Sequence, residues 1–490
     1  MKLSKLLFES AAQKPMQTAI IADDIKLTYH RLAQDVDRLA YCLIRLTSDA
    51  ACTTAIALDD SPEYITSFFA VSRAGCVILP LSAKMTPKEL EQLLSQADAS
   101  ILIITSRCYD NIKSSLELTS KLNIICVEYH GNEFIITSIQ SAKSAGSFGN
   151  GELAMLVPTS GSMGNPKLVM HSADAVIANM FSYCRAMQFT KPHRAYLTLA
   201  FNHIYCICAQ ILTHIHRGDT LILSGKPFFV KDFLCAVQTH RITISSLVPY
   251  MAAMMARTQD PSKYDLSSLM TITLASAHTP PEILNKLRER FWRTKFINMY
   301  GMSEAGSRIS LTRPDDADCP PESVGKPIDC MSVRISDIGE IELKGQGMMK
   351  GYYKQKDLTE KSFDDGWFKT GDTGKIDNNG YLYIISRQKN VINSGSYKIF
   401  PEEIESVLLK HPCITEASVL GIDHQILGQV PCAFIATEDS ELTINDILKH
   451  CRKNLSQYKL PHKIIFMDAI PKNSNHKTNK LKLKEIAEKL

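Results

Sequence analysis

Along the first 310 residues, short apolar runs alternate with amphipathic stretches. The runs at 54–58, 76–79, 100–104, 124–127, 153–157, 220–223, 242–247 and 270–274 read as buried strands. Between them, stretches such as 87–97 and 280–291 carry apolar residues on one helical face. This alternation predicts an α/β fold of parallel sheets covered by helices. From about residue 325 to 385 the pattern changes to short strands with glycine turns, as in Gly339-Glu340-Ile341-Glu342-Leu343-Lys344-Gly345, which predicts a small β unit. After Arg387 the pattern predicts a helix from about Pro401, strands at 417–420 and 430–435, and a helix near 444–455. That last hundred residues reads as a separate α+β module. No internal repeat or low-complexity stretch interrupts the chain.

Composition narrows the picture. At 490 residues the chain is too long for one core and should divide into two to four domains. A hydrophobic content of 45% with 22% charged residues is ordinary for a soluble globular protein. The formal net charge of +4 is too small to argue for nucleic acid. The excess is uneven: residues 449–490 hold 11 Lys/Arg against 3 Asp/Glu, so this region either meets an anionic partner or is a solvated lysine-rich face. The 14 cysteines are scattered and form no C-x-x-C pair. Cys206 and Cys208 lie in an apolar run, and His214 and His216 have no third ligand nearby in sequence, so neither pair predicts a zinc site. Free thiols suggest a reducing compartment. The start of the chain offers only Leu6-Leu7-Phe8 before a charge, and no secretory segment or membrane span fits. A cytoplasmic location is the expectation.

The richest chemistry lies at Pro158-Thr159-Ser160-Gly161-Ser162-Met163-Gly164-Asn165-Pro166-Lys167, directly after the run 153–157. Glycines let backbone N–H groups approach an anion, and hydroxyls and an ammonium add further donors. The segment suits phosphate binding, although its spacing is not that of a Walker loop; the alternative is an ordinary polar turn. Further candidates follow in order: Asn298-Met299-Tyr300-Gly301-Met302-Ser303-Glu304, then Trp367-Phe368-Lys369-Thr370-Gly371-Asp372, then Ser386-Arg387-Gln388-Lys389-Asn390. Last comes Ile470-Pro471-Lys472-Asn473-Ser474-Asn475-His476-Lys477. Taken singly, Tyr300 could be a core aromatic, Asp372 a turn former and Lys477 a surface lysine.

In this order and over nearly the whole chain, these segments resemble the adenylate-forming (AMP-binding) superfamily of acyl-CoA ligases, peptide-synthetase adenylation domains and luciferases. Leu27-Thr28-Tyr29, Ala74-Gly75 with Pro80-Leu81, and Gly351-Tyr352 are similar to its minor motifs. The resemblance implies a large N-terminal domain, residues 1–388, of two doubly wound mixed sheets and a small β-barrel. A small mobile α+β domain, residues 389–490, would follow. It also implies a reaction: a carboxylic acid is joined to AMP with release of pyrophosphate, and the acyl group then passes to a thiol, with ATP and magnesium (Mg2+) as cofactors.

Residue by residue, Thr159, Ser160, Gly161, Ser162, Gly164 and Lys167 match the family's phosphate loop. Glu304 matches its magnesium ligand, and Ser303 would contact the α-phosphate. Tyr300, followed by Gly301, would stack on adenine, Asn298 would hydrogen-bond it, and Ala275 and Ser276 would line its edge. Asp372 would accept bonds from the ribose hydroxyls with Arg387 beside it. Lys477 matches the catalytic lysine and Lys389 the hinge, with Lys398 on the face used for thioester formation. The chain departs from the pattern where Ser162-Met163 replace two threonines, Leu168 a glycine, Asn473 a threonine and His476 the glycine before the lysine; Lys472 and Lys480 flank Lys477 closely enough to be confused with it.

Phe201-Asn202-His203-Ile204-Tyr205 matches the start of the acyl pocket, with His203 as a wall residue beside the reacting groups. Amino-acid-activating relatives carry an aspartate at the position of Ile204, and isoleucine cannot pair with a substrate ammonium. An α-amino acid is therefore disfavoured. The His-Ile-Tyr string is similar to that of coumarate–CoA ligases, so an aryl or arylacrylic acid is the first expectation and a medium-chain fatty acid the second. The acceptor thiol would belong to coenzyme A or to the phosphopantetheine of an acyl-carrier protein, and the basic C-terminal region suits both. A third reading is a nucleotide-binding protein without catalysis.

Overall fold

The computed structural model describes residues 2–47, 52–113, 122–140, 152–159, 166–258, 260–275, 279–387, 390–394, 397–424, 427–473 and 478–489. Two mixed sheets dominate the first 350 residues. One has nine strands, whose six central members (Lys295–Tyr300, Thr271–Leu274, Ile244–Leu247, Arg194–Leu197, Thr220–Leu223 and Thr18–Ala22) run parallel. The other has eight, with Met155–Thr159, Val77–Ser82, Thr53–Leu58, Ala99–Ile104 and Asn123–His130 parallel at its centre. The inner strands are buried on both faces, which is why they read as continuous apolar runs rather than alternating ones.

One large apolar cluster joins the sheets. It takes Ile56, Ile78 and Ile103 from one sheet and Ile20, Ile222 and Leu247 from the other. Leu32 and Leu39 of helix Tyr29–Thr47, Phe68 and Phe69 of Pro62–Ala74, and Val176 and Tyr183 of Ala173–Met187 complete it. Alternate residues of the same strands face the other way: Ala55, Ala57, Val77 and Leu79 pack on Leu90, Leu93 and Leu94 of helix Pro87–Gln96. A capping box starts that helix, with the Thr86 hydroxyl accepting from the Glu89 amide and Glu89 accepting from the Thr86 amide. The strand expected at 76–79 runs on to Ser82, although Pro80 lacks an amide donor. It is accommodated because the neighbouring strand Met155–Thr159 pairs with this one only at Ile78↔Met155.

The small β unit is an antiparallel sheet of five strands: Met331–Ile335, Glu340–Gly345, Phe363–Asp364, Trp367–Ile376 and Leu382–Arg387. Among the described residues its pairings run as an open sheet. The C-terminal module is a second five-stranded sheet, built on the long hairpin Ile414–His424/Gly428–Thr437. Helices Pro401–Leu409 and Ile444–Asn454 supply the apolar residues of one face of this sheet, and Lys480–Lys489 those of the other. Its two clusters contain no residue before Ile392, and the two large clusters contain none after Leu382. The bonds linking module and body are polar: Ser386 to Glu402 at 2.8 Å, Lys410 to Glu282 at 3.3 Å, and Arg257 to the Thr415 carbonyl.

Separate cores should unfold separately. Ile435→Ala, which empties a fully buried site in the module, should cost about 2–5 kcal/mol there. In urea titrations followed by residue-specific probes, the module's midpoint should fall while that of the sheets before residue 382 stays in place. A single transition shifted as a whole would contradict this.

Candidate active site

Strands Met155–Thr159 and Lys167–His171 form an antiparallel hairpin whose last pair is Thr159↔Lys167. The Thr159 hydroxyl also donates to the Lys167 carbonyl at 3.5 Å. The glycine- and serine-rich segment is therefore the connection of a hairpin at the edge of the parallel strands. Ser160, Gly161, Ser162 and Gly164 lie outside the described residues. The Lys167 ammonium sits 4.6 Å from the centre of the Tyr352 ring, and the Tyr352 hydroxyl donates to Glu304 Oε1 at 2.9 Å. Burial, reinforced by Glu304, raises the Tyr352 pKa and keeps this hydroxyl a donor. Tyr352 is brought here by the short strand Gly351–Tyr352, which pairs with Lys167–His171. A cation, a ring and a carboxylate thus meet at the mouth of the loop.

Glu304 lies in the turn after strand Lys295–Tyr300, and that turn is tethered from several sides. Buried His171 donates Nε2–H to the Ser303 carbonyl at 2.7 Å, the acceptor fixing the tautomer. Asn179 donates to the carbonyls of Ala305 at 3.0 Å and Arg308 at 2.8 Å, and the Met349 amide bonds the Glu304 carbonyl at 2.8 Å. A Cβ on Gly301 would lie 1.7 Å from the Ser307 carbonyl oxygen, so only glycine permits this closure. Ser307 itself holds φ of +96°, a strained value for a residue with a side chain.

Asp372 is buried with both oxygens engaged. Tyr300 donates its hydroxyl at 2.6 Å, and Arg387 donates Nε–H at 2.8 Å. Burial and the facing carboxylate raise the Tyr300 pKa, so it stays a donor; Asp372 likewise holds the Arg387 pKa up. The turn before it is set by Gly371, with φ of +73°, whose amide donates to Glu340 Oε1 at 2.8 Å. A carboxylate has about four acceptor directions, so capacity remains for further hydroxyl donors.

Asn298 is buried and gives one side-chain N–H to the Ser323 carbonyl at 3.2 Å. Ala275 is buried at the end of strand Thr271–Leu274, and Ser276 lies outside the described residues. His203 caps a short helix, its Nδ1 accepting from the Tyr205 amide at 3.4 Å. Ile204 and Tyr205 are buried, and the Tyr205 hydroxyl bonds Thr273 Oγ1 at 3.0 Å. A π-helical stretch, Ile207–Leu212, follows directly. Such stretches are frequent at functional sites.

Lys389 and Lys477, with the side chain of Lys398, fall outside the described residues. Of the two lysines near Lys477, Lys472 is held in an ion pair with Glu416, and Lys480 begins the last helix, its charge acting on Glu405. An isolated antiparallel bridge joins Lys472 to Thr478, on either side of residues 474–477. Among the described residues, the fold therefore gathers Thr159 and Lys167 with Glu304, and Tyr300 with Asp372 and Arg387. His171, Asn179 and Glu340 were not singled out from the sequence, and Tyr352 was noted without a role. Their signal was a polar residue within or beside an otherwise apolar run. No cluster of three His, Cys, Asp or Glu side chains among the described residues could hold a metal by itself.

Comparison with known proteins gives the family of the chain. Residues 7–353 match the AMP-binding enzyme family, and residues 403–477 match the AMP-binding enzyme C-terminal domain. The 2-succinylbenzoate–CoA ligase of Bacillus licheniformis is 28% identical over 97% of this chain and 98% of its own length. The indoleacetate–CoA ligase of Aromatoleum aromaticum is 28% identical over 98% of this chain and 97% of its own. Among solved structures, o-succinylbenzoate CoA synthetase from Bacillus subtilis, in complex with its acyl-adenylate intermediate, superposes with a TM-score of 0.81. It is 27% identical, covering 98% of this chain and 97% of that one.

The tether at His171 should be visible in acid. Burial lowers its pKa from 6.5 to about 4, so the folded chain keeps it neutral while the unfolded chain protonates it. Its contribution is complete above pH 6.5 and is lost as pH falls towards 4, by on the order of 3 kcal/mol. Equilibrium unfolding of the parent and His171→Gln at several pH values should give a stability difference that shifts in the variant's favour over that window. A difference independent of pH would contradict the assignment.

Proposed function

The chain belongs to the AMP-binding enzyme family, and on that premise we propose that it activates a carboxylic acid with ATP, releasing pyrophosphate, and hands the acyl group to coenzyme A. The observation that carries this reading is the pair of anion-handling constellations on one turn: Lys167–Tyr352–Glu304 on one side, Tyr300–Asp372–Arg387 on the other. One is suited to a polyphosphate and its metal, the other to a nucleoside.

In the first step a carboxylate approaches the α-phosphorus, and two anions repel unless cations sit between them. The backbone and hydroxyls of Thr159, Ser160, Gly161, Ser162 and Gly164, with Lys167, would hold the β- and γ-phosphates, and Ser303 the α-phosphate. Magnesium, held by Glu304 and the triphosphate, would supply Lewis-acid charge neutralisation. Glu304 fits this, since among the described residues the Tyr352 hydroxyl bonds one of its oxygens, Oε1. Tyr300 and Asn298 would hold adenine at the edge of Ala275 and Ser276, and Asp372 with Arg387 would take the ribose hydroxyls. Lys477 would neutralise the charge between acid and phosphate. His203, Ile204 and Tyr205 would form the acyl pocket. The apolar Ile204 supports an aryl acid, and the acid named for the Bacillus relatives, 2-succinylbenzoate, is of that class.

We place the domain boundary at 388/389 with Lys389 as hinge. The separate cores, with polar links such as Lys410–Glu282 and Ser386–Glu402 between module and body, support a rotation that withdraws Lys477 and admits the thiol. A cytoplasmic location is supported by 14 cysteines without a disulfide among the described residues. No helix among those residues is long and apolar enough to cross a membrane.

ATP–pyrophosphate exchange across aryl, fatty and amino acids, without thiol, tests this reading. Exchange should be strongest with an aryl acid. Lys477→Ala should lower it about 10²–10³-fold, as removal of one transition-state charge contact does elsewhere. Asp372→Ala should mainly raise the KM for ATP. Added coenzyme A should then discharge the adenylate; discharge only by a phosphopantetheinylated carrier protein would make the enzyme a carrier loader. Exchange with no acid, despite ATP binding, would overturn the activity.

A further inference from the structure

Arg308 is the largest fully buried side chain among the described residues, with 1% of its surface exposed. It follows the strained Ser307 and is aimed inward by the same turn that carries Ser303 and Glu304. Its Nη1 donates to the Ser307 carbonyl at 3.2 Å and hydroxyl at 3.3 Å, and the Tyr183 hydroxyl is a further polar neighbour, whereas Nε and Nη2 make no hydrogen bond among the described residues. Its Cζ lies 3.9 Å from the centre of the Tyr205 ring, the expected wall of the acyl pocket, and 5.1 Å from that of Tyr183.

The guanidinium cannot shed its charge. Elsewhere most buried carboxylates meet an arginine: Asp35 meets Arg31 and Arg38, Asp219 meets Arg217, Glu342 meets Arg334 and Asp372 meets Arg387, while Glu340 accepts from the Gly371 amide. No carboxylate among the described residues pairs with Arg308. The remaining stretches that the sequence assigns to the site, 160–165, 276–278, 388–389 and 474–477, contain no Asp or Glu. The other groups that face it offer no anion either. Burial pushes the Cys208 thiol up to about 12 and raises the Tyr183 phenol too, so both are neutral near pH 7. Two aromatic faces return only part of what burying an unpaired cation costs. The arrangement is a cation with two unused donor edges at the wall of the proposed acid pocket, and among the described residues it lacks a counter-ion.

We propose that Arg308 receives a second carboxylate on the acid, so that this site activates dicarboxylic acids in preference to their monocarboxylic counterparts. The inference rests on the acid-activating reading above and names its substrate class. The two carboxylates have different fates: one is adenylated and the other stays ionised against Nε and Nη2 of Arg308. The Tyr205 ring, held through its hydroxyl by Thr273, must turn aside to admit the distal group.

The test uses matched acids that differ only in the distal carboxylate: suberate against octanoate, and 2-succinylbenzoate against its analogue lacking the ring carboxylate. Each is assayed by pyrophosphate exchange and by calorimetric binding to the full-length chain and to Arg308→Met and Arg308→Lys. The parent should favour the diacid of a pair by about 10²-fold or more in kcat/KM, because a monoacid leaves the buried donors unpaired. Arg308→Met should erase that preference by weakening the diacid alone, and Arg308→Lys should restore part of it. Equal use of both acids by the parent, or an equal loss for both in Arg308→Met with Arg308→Lys no better, would overturn the proposal and leave Arg308 a structural residue. Should no acid support exchange, the adenylation reading fails by itself. Calorimetry still decides the anion site, by whether diacid binding disappears in Arg308→Met.

Discussion

The closure of the turn between Tyr300 and Arg308 is the constraint on which the rest of the site depends. Its backbone folds so tightly that the Ser307 carbonyl occupies the space of a Gly301 side chain. Buried hydrogen bonds from His171 and Asn179 tie it to the eight-stranded sheet and to the helix between the sheets. Tyr300 ties its start to Asp372 of the small antiparallel sheet. One short segment therefore touches all three sheets of the large part. Because the carbonyls of Ser303, Ala305 and Arg308 are satisfied by side chains distant in sequence, losing His171 or Asn179 leaves a buried acceptor unpaired, which costs more than the bond itself contributes.

Electrostatics divides the segment by function. Glu304 meets a phenol and, through its ring, an ammonium, and Asp372 meets a phenol and a guanidinium. Both carboxylates are pre-oriented without being fully consumed, which suits groups that must accept further ligands. Arg308 is the reverse case, a buried cation to which the described residues give carbonyl, hydroxyl and ring contacts but no carboxylate. Charge is balanced where nucleotide chemistry would occur and unbalanced where the acid would sit.

The C-terminal module is held differently. Apolar contacts build its own two clusters, and polar bonds such as Lys410–Glu282 link it to the body. Solvent-exposed ion pairs are worth about 0–1 kcal/mol. A module fixed by a few of them would be free to turn as a unit without disturbing the other cores, which the proposed two-step reaction would use.

Much of this was legible in the sequence because the information is local. The strands at 54–58, 220–223 and 270–274 declare themselves by continuous apolar runs, since burial on both faces leaves no polar position. The glycine- and serine-rich segment at 158–167, Tyr300, Glu304, Asp372 and Arg387 stand in a fixed order within recognisable strings, so their resemblance to a family needed no geometry. Tertiary structure decided which of them meet. Tyr352 reaches Glu304 from 48 residues away, and His171 reaches the Ser303 carbonyl from 132 residues away. Arg308 looks like any charged residue in the turn before a short strand, here Ser310–Leu311, and only burial reveals that no carboxylate among the described residues pairs with it. Periodicity and motif order are properties of neighbours along the chain. Counter-charges and hydrogen-bond partners belong to neighbours in space, which the packing of two sheets on shared helices alone brings together.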